Sequence, residues 1–228
     1  MKGQVIVIEG IDHSFKETGA RNLASFFRIK GYKVLPLSFP NYNTEIGQEI
    51  YKILHEGTDE EKESLPRLFH KEQVSYIDTI QEAVNSGFIV IIDRYFPSNI
   101  AYNYTSSIIG LEERFAGLID YTLYFDMDPD LIKDLIKERA KKNNEELDMN
   151  ESDIEKLKKV RVNYLKYIAT RANTDILGQT AIIDTYDENY NIRSETDMRG
   201  LMSNICDLIS GRWKIKCYSR NYSNQKVL

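Results

Sequence analysis

The chain has few of the residues that mark secreted, zinc-stabilised or membrane proteins. Two cysteines and three histidines occur among its 228 residues. Cys206 and Cys217 are too few and too poorly spaced for a disulfide framework, which is typical of a reducing compartment. The scattered histidines form no cluster suited to structural zinc. No apolar run approaches the roughly 18 residues that span a bilayer, and the first three residues lead directly into a predicted strand. We therefore expect a cytoplasmic protein without a signal peptide or membrane segment.

The chain also lacks an excess of positive charge. Its formal net charge is −5, so we expect no specific binding to nucleic acid. Residues 211–228 differ, because five basic side chains occur there without an acidic one. We expect a solvated basic tail that follows a single domain over residues 1–210, and we favour this over a weak contact with a polyanion.

Short apolar runs alternate with longer segments of helical periodicity, and 42% apolar residues suffice for a full core. The predicted strands are Gln4–Ile8, Lys33–Ser38, Phe88–Ile92, Tyr121–Phe125 and Thr180–Ile183. The predicted helices are Lys16–Lys30, Glu45–Leu54, Leu65–Ser86, Glu112–Ile119, Pro129–Lys142, Ser152–Thr170 and Ser194–Ile209. The alternation favours an α/β fold with a five-stranded parallel sheet and helices on both faces.

A polar, highly charged segment separates two of these helices at about residues 140–153. It is a flexible connector or, in a phosphate-transfer protein, a small lid that closes over the ligand.

The segment from Gly10 to Thr18 is close to a phosphate-binding loop. The Walker A pattern G-x-x-x-x-G-K-[ST] places backbone N–H groups and a lysine around phosphates, with a hydroxyl on Mg²⁺. Gly10 and Lys16 have the required spacing, but Phe15 occupies the position of the second glycine. Glu17 occupies the hydroxyl position, and Thr18 follows one residue late. A strand-to-helix turn without phosphate remains an alternative on this segment alone.

A second polar cluster follows the third predicted strand, where Asp93 and Arg94 are adjacent. An aspartate at a strand end can position Mg²⁺ or its waters, and an arginine can bind a phosphate with two hydrogen bonds. In a parallel α/β sheet, ligands bind beyond the carboxyl ends of the strands. The segments 10–18, 39–44 and 93–98 should therefore face one cleft.

These segments make the chain resemble the thymidylate kinase family of P-loop nucleoside monophosphate kinases. The resemblance covers residues 1–209 and depends on the order of four segments. They read IEGIDHSFKET, FPNYNTEIG, LPRLFHKEQ and IIDRYFPSNIAYN. The resemblance implies the three-layer P-loop NTPase fold, the transfer of phosphate from ATP to dTMP with Mg²⁺, and a homodimer.

The resemblance also implies a role for individual residues. Lys16 would hold the transferring phosphate, Arg94 the acceptor phosphate, and Phe69 would stack on the pyrimidine. The implied catalytic residues are Lys16, Asp12, Asp93 and Arg94. The implied ATP-binding residues are Gly10, Ser14, Lys16, Glu17, Thr18, Arg139 and Lys142. The implied residues of the acceptor site are Phe39, Phe69, Gln73, Arg94, Tyr95, Ser98, Tyr102 and Asn103. Thr18 and Asp93 are the implied Mg²⁺ ligands.

The sequence departs from the family pattern at several of these positions. A side chain at Phe15 is expected to obstruct the phosphates or to force the backbone away from the geometry of glycine. Gln73 stands where family members commonly carry an arginine, and FPNYNT has no arginine for the acceptor phosphate. The usual Asp-Arg pair of the lid reads Asp148-Met149. Each lost charge-assisted contact typically costs about 1.5–3 kcal/mol.

Three functions remain open on the sequence. The first is an active kinase for dTMP, or for a dUMP-like acceptor if Gln73 changes the preference for the base. The second is a catalytically impaired homologue that binds nucleotide weakly or serves as a scaffold. A deoxynucleoside kinase is less favoured, because the FP-x-x-x-T segment argues against it.

Overall fold

The fold is a single parallel sheet between two layers of helices. The computed structural model describes residues 3–103, 108, 110–143 and 151–211, with the backbone alone for 137–143 and 151–152. The strands are β1 (Gln4–Gly10), β2 (Lys33–Ser38), β3 (Phe88–Asp93), β4 (Tyr121–Asp126) and β5 (Gln179–Asp184). All neighbours are parallel, in the order β2-β3-β1-β4-β5. The predicted α/β architecture and all five predicted strands are confirmed.

Within the described residues, nine α-helices lie between the strands or follow the last one. They are α1 (Lys16–Ile29), α2 (Glu45–Glu56), α3 (Asp59–Lys62), α4 (Leu65–Ser75), α5 (Ile77–Asn85), α6 (Phe96–Tyr102), α7 (Pro129–Asn143), α8 (Glu151–Arg171) and α9 (Glu195–Ile209). None of the helices in this part of the chain combines the length and apolar character of a membrane span.

Two helix predictions need correction. The single helix predicted over 65–86 is divided at Tyr76, whose N–H donates to the carbonyl three residues back, at Gln73, instead of four. The helix predicted over 112–119 is a short 3₁₀ helix, Leu111–Phe115. It ends early because Gly117 has a φ of 73° and donates its N–H to Asp175 O at 2.7 Å, outside any helix. The helices α3 and α6 were not predicted.

The sheet is covered on both faces because side chains of a strand alternate between its faces. Val5 and Val7 of β1 pack with α5, α6 and α8, whereas Ile6 and Ile8 pack with α1 and α9. All four of these side chains are buried. This arrangement is the three-layer fold expected from the sequence.

The sheet brings the loops after β1, β2 and β3 to one edge. Arg94 N–H donates to Ile8 O at 3.0 Å, and Phe39 N–H donates to Asp93 O at 3.1 Å. The three polar segments therefore border a common cleft, as predicted. Half of the proposed lid (144–150) and the tail beyond residue 211 lie outside the described residues, so the division into a domain, lid and tail stays a prediction.

Candidate active site

The loop after β1 begins at a glycine and ends at a left-handed residue. Gly10 has a φ of 154°, and a Cβ there would lie 2.5 Å from Ser14 Oγ and 2.8 Å from Phe125 O. Phe15 has a φ of 63° and a ψ of 10° directly before α1. Phe15 thus keeps the left-handed conformation that favours glycine, and its ring packs against the core. The expectation that Phe15 displaces the backbone from this geometry is wrong.

Lys16 is held inside this loop at the start of α1. It is 8% exposed, and its Nζ donates to Ile11 O at 3.3 Å. The Asp12 Oδ1 atom lies 3.9 Å from the same Nζ. Burial, together with the nearby Arg94 guanidinium, lowers the pKa of Lys16 to about 8. A phosphate in the loop would supply the negative charge that restores full protonation.

Asp12, Arg94 and Tyr102 form one polar cluster beside the loop. Arg94 Nη2 forms an ion pair with Asp12 Oδ1, and the guanidinium lies 5.2 Å from the centre of the Tyr102 ring. The Tyr102 hydroxyl donates to Asp12 Oδ2 at 3.0 Å and accepts from Asp12 N–H at 3.1 Å. Burial opposes ionisation of Asp12, but Arg94 and Lys16 hold its pKa below the usual value. The cluster therefore holds the positively charged guanidinium of Arg94 in a fixed position at the cleft.

Asp93 ends β3 with a carboxylate suited to a cation. Its Oδ1 atom is buried and has no hydrogen-bond partner within the described part of the chain, and burial raises its pKa. Such an orphaned oxygen fits Mg²⁺ or a water of its coordination shell. The described residues contain no group of three acidic, histidine or cysteine side chains that would hold a metal. Phosphate oxygens and water would therefore have to complete the coordination.

The other residues that were predicted to bind ATP or Mg²⁺ differ in their exposure and in their hydrogen-bond partners. Thr18 Oγ1 accepts from Arg21 Nη2 at 3.2 Å, and Glu17 is exposed. Ser14 Oγ is buried and finds no partner among the described residues. The side chains of Arg139 and Lys142, and the pair Asp148-Met149, lie outside the described residues.

A cavity of about 460 Å³ opens next to the Asp12–Arg94 pair. Its lining includes every residue predicted for the acceptor site. These are Phe39, Phe69, Gln73, Arg94, Tyr95, Ser98, Tyr102 and Asn103. The structure thus brings these residues together, while their individual roles stay predictions.

The polar groups of the cavity wall are not equally available to a ligand. Gln73 Oε1 is buried without a partner in the described structure, whereas its backbone carbonyl accepts from the Tyr95 hydroxyl at 3.1 Å. The Ser98 hydroxyl is engaged with Glu9 and Tyr164 behind the wall. Asn103 Nδ2 donates to the side chain of the adjacent Asn99 at 3.0 Å. Among the described residues of the cavity wall, Gln73 is therefore the one with a buried side-chain oxygen that has no hydrogen-bond partner.

The loop after β2 borders the cavity and is anchored to α4. Phe39 N–H is bound to β3, and the peptide bond between Phe39 and Pro40 is cis. Asn41 N–H donates to Glu72 Oε1 at 2.8 Å, and Asn41 Nδ2 donates to the Tyr76 hydroxyl at 2.8 Å. These contacts position the loop, although its sequence FPNYNT contains no arginine.

Several residues of the site were not predicted. Glu9 lies directly before Gly10 and is buried. The sequence did contain a signal for this residue, because Glu9 is a charged residue within an apolar run. Lys62 and Lys156 lie at the cavity and add positive charge there. No local pattern marks those two lysines, because α3 and α8 meet the cavity only in the folded chain.

The fold and the loop after β1 together indicate the class of protein. A parallel sheet with Gly10 and Lys16 at the carboxyl end of its central strand is typical of a P-loop phosphotransferase. The family model for thymidylate kinase matches residues 8–186. The chain belongs to the thymidylate kinase family.

Individual relatives agree with this assignment. A probable thymidylate kinase from Pyrococcus horikoshii is 35% identical over 178 residues, which cover 73% of this chain and 83% of that protein. The thymidylate kinase of African swine fever virus is 28% identical over 224 residues, covering 95% and 94% respectively. The solved structure of thymidylate kinase from Candida albicans matches with a TM-score of 0.64 over 92% of both chains. Its identity is 22%, so this match shows the shared fold.

Proposed function

We propose that the protein transfers the γ-phosphate of ATP to a pyrimidine deoxynucleoside monophosphate, with dTMP as the principal acceptor. One observation carries this proposal: the Asp12–Arg94 pair joins the loop that contains Lys16 (residues 10–18, the lysine loop) to a cavity with Phe69 and Gln73 in its wall. A phosphate donor and a nucleotide acceptor would thus meet at one edge of the sheet.

The side chains at this edge suit phosphoryl transfer, which depends on positioning and charge neutralisation more than on covalent chemistry. Backbone N–H groups of the loop and Lys16 would bind the phosphates of ATP. Arg94 would bind the acceptor phosphate while the Tyr102 hydroxyl keeps Asp12 in place. Mg²⁺, bound near Asp93, would supply further charge neutralisation on the phosphates.

The cavity wall supports a pyrimidine as the acceptor base. The Phe69 ring offers a stacking surface, and the unpartnered Gln73 Oε1 can accept the N3–H of thymine or uracil. A neutral amide bonds these two bases alike, so we include dUMP-like acceptors in the proposal. Discrimination between them then depends on how the cavity contacts the 5-methyl group.

The test is ADP production with ATP, Mg²⁺ and a panel of dTMP, dUMP, dCMP, dGMP and ribonucleotides. We expect turnover with dTMP that falls at least a hundredfold in Lys16→Ala, because the transferring phosphate loses its cation. Lys166→Ala is the matched control, since Lys166 is exposed on α8. Turnover that persists in Lys16→Ala would contradict the assignment of the loop.

Phe15 favours a second candidate, the catalytically impaired homologue. Its side chain replaces the glycine hydrogen directly before Lys16. A folded protein that is inactive across the panel and shows no ATP binding by calorimetry would support this alternative. Acceptor-dependent turnover by the unmodified protein would argue against it.

A further inference from the structure

Three buried oxygen atoms form a triangle behind the cavity wall. Glu9 Oε2 lies 2.5 Å from Ser98 Oγ and 2.8 Å from the Tyr164 hydroxyl. Ser98 Oγ and the Tyr164 hydroxyl are 2.7 Å apart. The other carboxyl oxygen of Glu9 accepts Tyr95 N–H at 2.8 Å. Every side of the triangle therefore has the length of an O–H···O hydrogen bond.

The triangle requires three hydrogen atoms if each side is a hydrogen bond. The hydroxyl groups of Ser98 and Tyr164 contribute one each. With an ionised Glu9, one side would bring two oxygen lone pairs together at less than 3 Å without a hydrogen. With a protonated Glu9, each oxygen donates once and accepts once, and the ring is closed. The count of hydrogens therefore favours a neutral carboxylic acid.

The surroundings of Glu9 also favour the protonated carboxyl group. Its side chain is 1% exposed, and burial raises its pKa to about 7. Arg94 and Lys16 are the cations that interact with it, and they favour the charged form. The other titratable groups around it are the hydroxyls of Tyr164 and Tyr167 on α8, and Tyr124 is its neighbour on β4. Because all three are neutral phenols, none of them adds a positive charge that would stabilise an ionised Glu9.

We propose that Glu9 is a positioning residue whose protonated carboxyl group closes a ring of three hydrogen bonds with Ser98 and Tyr164. The ring joins the end of β1 to α6 and α8. Since Ser98 lies in the cavity wall, the ring holds that wall in the conformation that receives the acceptor. The role in acceptor binding depends on the proposed function, whereas the protonated ring does not.

Opening the ring should affect the acceptor more than ATP. When Glu9 loses its proton, one hydrogen bond is lost and a buried charge appears beside α6. A lost hydrogen bond corresponds to about a three- to tenfold change in an equilibrium constant. We therefore expect the Kd for dTMP to rise by that factor as the pH increases through about 7, with little change in the Kd for ATP.

The ring is tested first on the free protein by infrared difference spectroscopy between about pH 6 and pH 8. We expect the carbonyl band of a protonated carboxylic acid at the lower pH and its loss at the higher pH. The band should be absent in Glu9→Gln. If no carbonyl band of the wild-type spectrum disappears in Glu9→Gln, the proposal is overturned, whether or not the protein is a kinase.

The effect on binding is tested by calorimetry with dTMP over the same pH range. Glu9→Gln retains a neutral side chain of the same shape, so its Kd for dTMP should change with pH only through the ionisation of the dTMP phosphate itself. Tyr164→Phe opens the ring and should weaken binding at both pH values. Tyr167→Phe, one turn later on α8, is the matched control and should behave like wild type.

The two parts of the proposal fail in different ways. A carboxylic acid band combined with the same pH dependence of dTMP binding in the wild type and in Glu9→Gln would overturn the positioning role. If dTMP does not bind at any pH, both the proposed function and this role are overturned, and the spectroscopic result on the ring still stands.

Discussion

At the scale of single residues, Phe15 combines two opposing contributions to stability. Its backbone has a φ of 63°, a region that costs an L-residue roughly 1–2 kcal/mol. Its ring, however, packs against the core and gains buried apolar area. Replacement by glycine or by alanine removes the ring in both cases, but only glycine removes the backbone cost.

The first prediction is that Phe15→Gly is more stable than Phe15→Ala by about 1 kcal/mol. The measurement is urea unfolding of both variants beside the wild type. Equal stability of the two variants, or a more stable alanine variant, would show that the left-handed conformation is not kept in solution.

The second prediction concerns the pH dependence of ATP binding. Phosphate binding requires the protonated Lys16, and the pKa of Lys16 in the ligand-free protein is about 8. We expect the affinity for ATP to be nearly constant just below this pH and to fall as the pH rises above about 8. Calorimetry should show this decline in the wild type and not in Lys16→Ala, which corrects for the ionisation of ATP itself. A decline of the same size in both proteins would contradict the prediction.

At the scale of elements, the strands were predictable and the short helices were not. Strand β3 is a continuous run of apolar residues buried on both faces, which leaves a strong pattern in the sequence. Helix α6 has seven residues, among them a proline, a serine and an asparagine, and it forms because it packs between α4 and α8. The break at Tyr76 is equally invisible, because the apolar period continues across it.

The same distinction applies to the site. Gly10, Lys16, Asp93 and Arg94 could be proposed as site residues because local sequence patterns carry their chemistry. The ring of Glu9 depends on Ser98 and Tyr164, which are 89 and 155 residues away in the chain. Such contacts exist only after folding, so the role of Glu9 could not be inferred from its position beside Gly10.

The third prediction compares glycines in two helices. A Cβ on Gly47 in α2 would lie 1.9 Å from Asn41 O, in the loop that borders the cavity. Gly47→Ala should therefore displace this loop, lower the stability and raise the KM for the acceptor several-fold. The KM for ATP should change little, because α2 does not contact the lysine loop through this glycine.

Gly200 in α9 is the matched control for this substitution. A Cβ there meets no described atom within 4 Å, and the residue is exposed. Gly200→Ala should stabilise the protein by about 1 kcal/mol, because alanine is the better helix former, and leave both KM values unchanged. An unchanged KM for the acceptor in Gly47→Ala would show that the loop does not contribute to the acceptor site.

At the scale of the whole molecule, the loop after β1 and the cavity lie at one edge of the sheet. Three of the five strands end in the loops that border the cavity, so a bound ligand contacts much of the fold at once. The homodimer implied by the family resemblance stays a prediction, and sedimentation equilibrium of the full chain would test it. Ligand binding, by contrast, can be measured through the stability of the whole chain.

The fourth prediction uses this linkage between binding and unfolding. A ligand at a hundred times its Kd should raise the free energy of unfolding by about 2.7 kcal/mol. For a chain of this size, that corresponds to a rise in Tm of roughly 5–10 °C. We expect such a rise with ATP and Mg²⁺, and separately with dTMP, in scanning calorimetry.

Lys16→Ala should lose most of the rise with ATP and keep the rise with dTMP, because Lys16 belongs to the donor side of the site. Loss of both rises in Lys16→Ala would mean that the two ligands do not occupy separate parts of the cleft. If dTMP stabilises the wild-type protein and ATP does not, the loop no longer binds ATP, as expected for the impaired homologue.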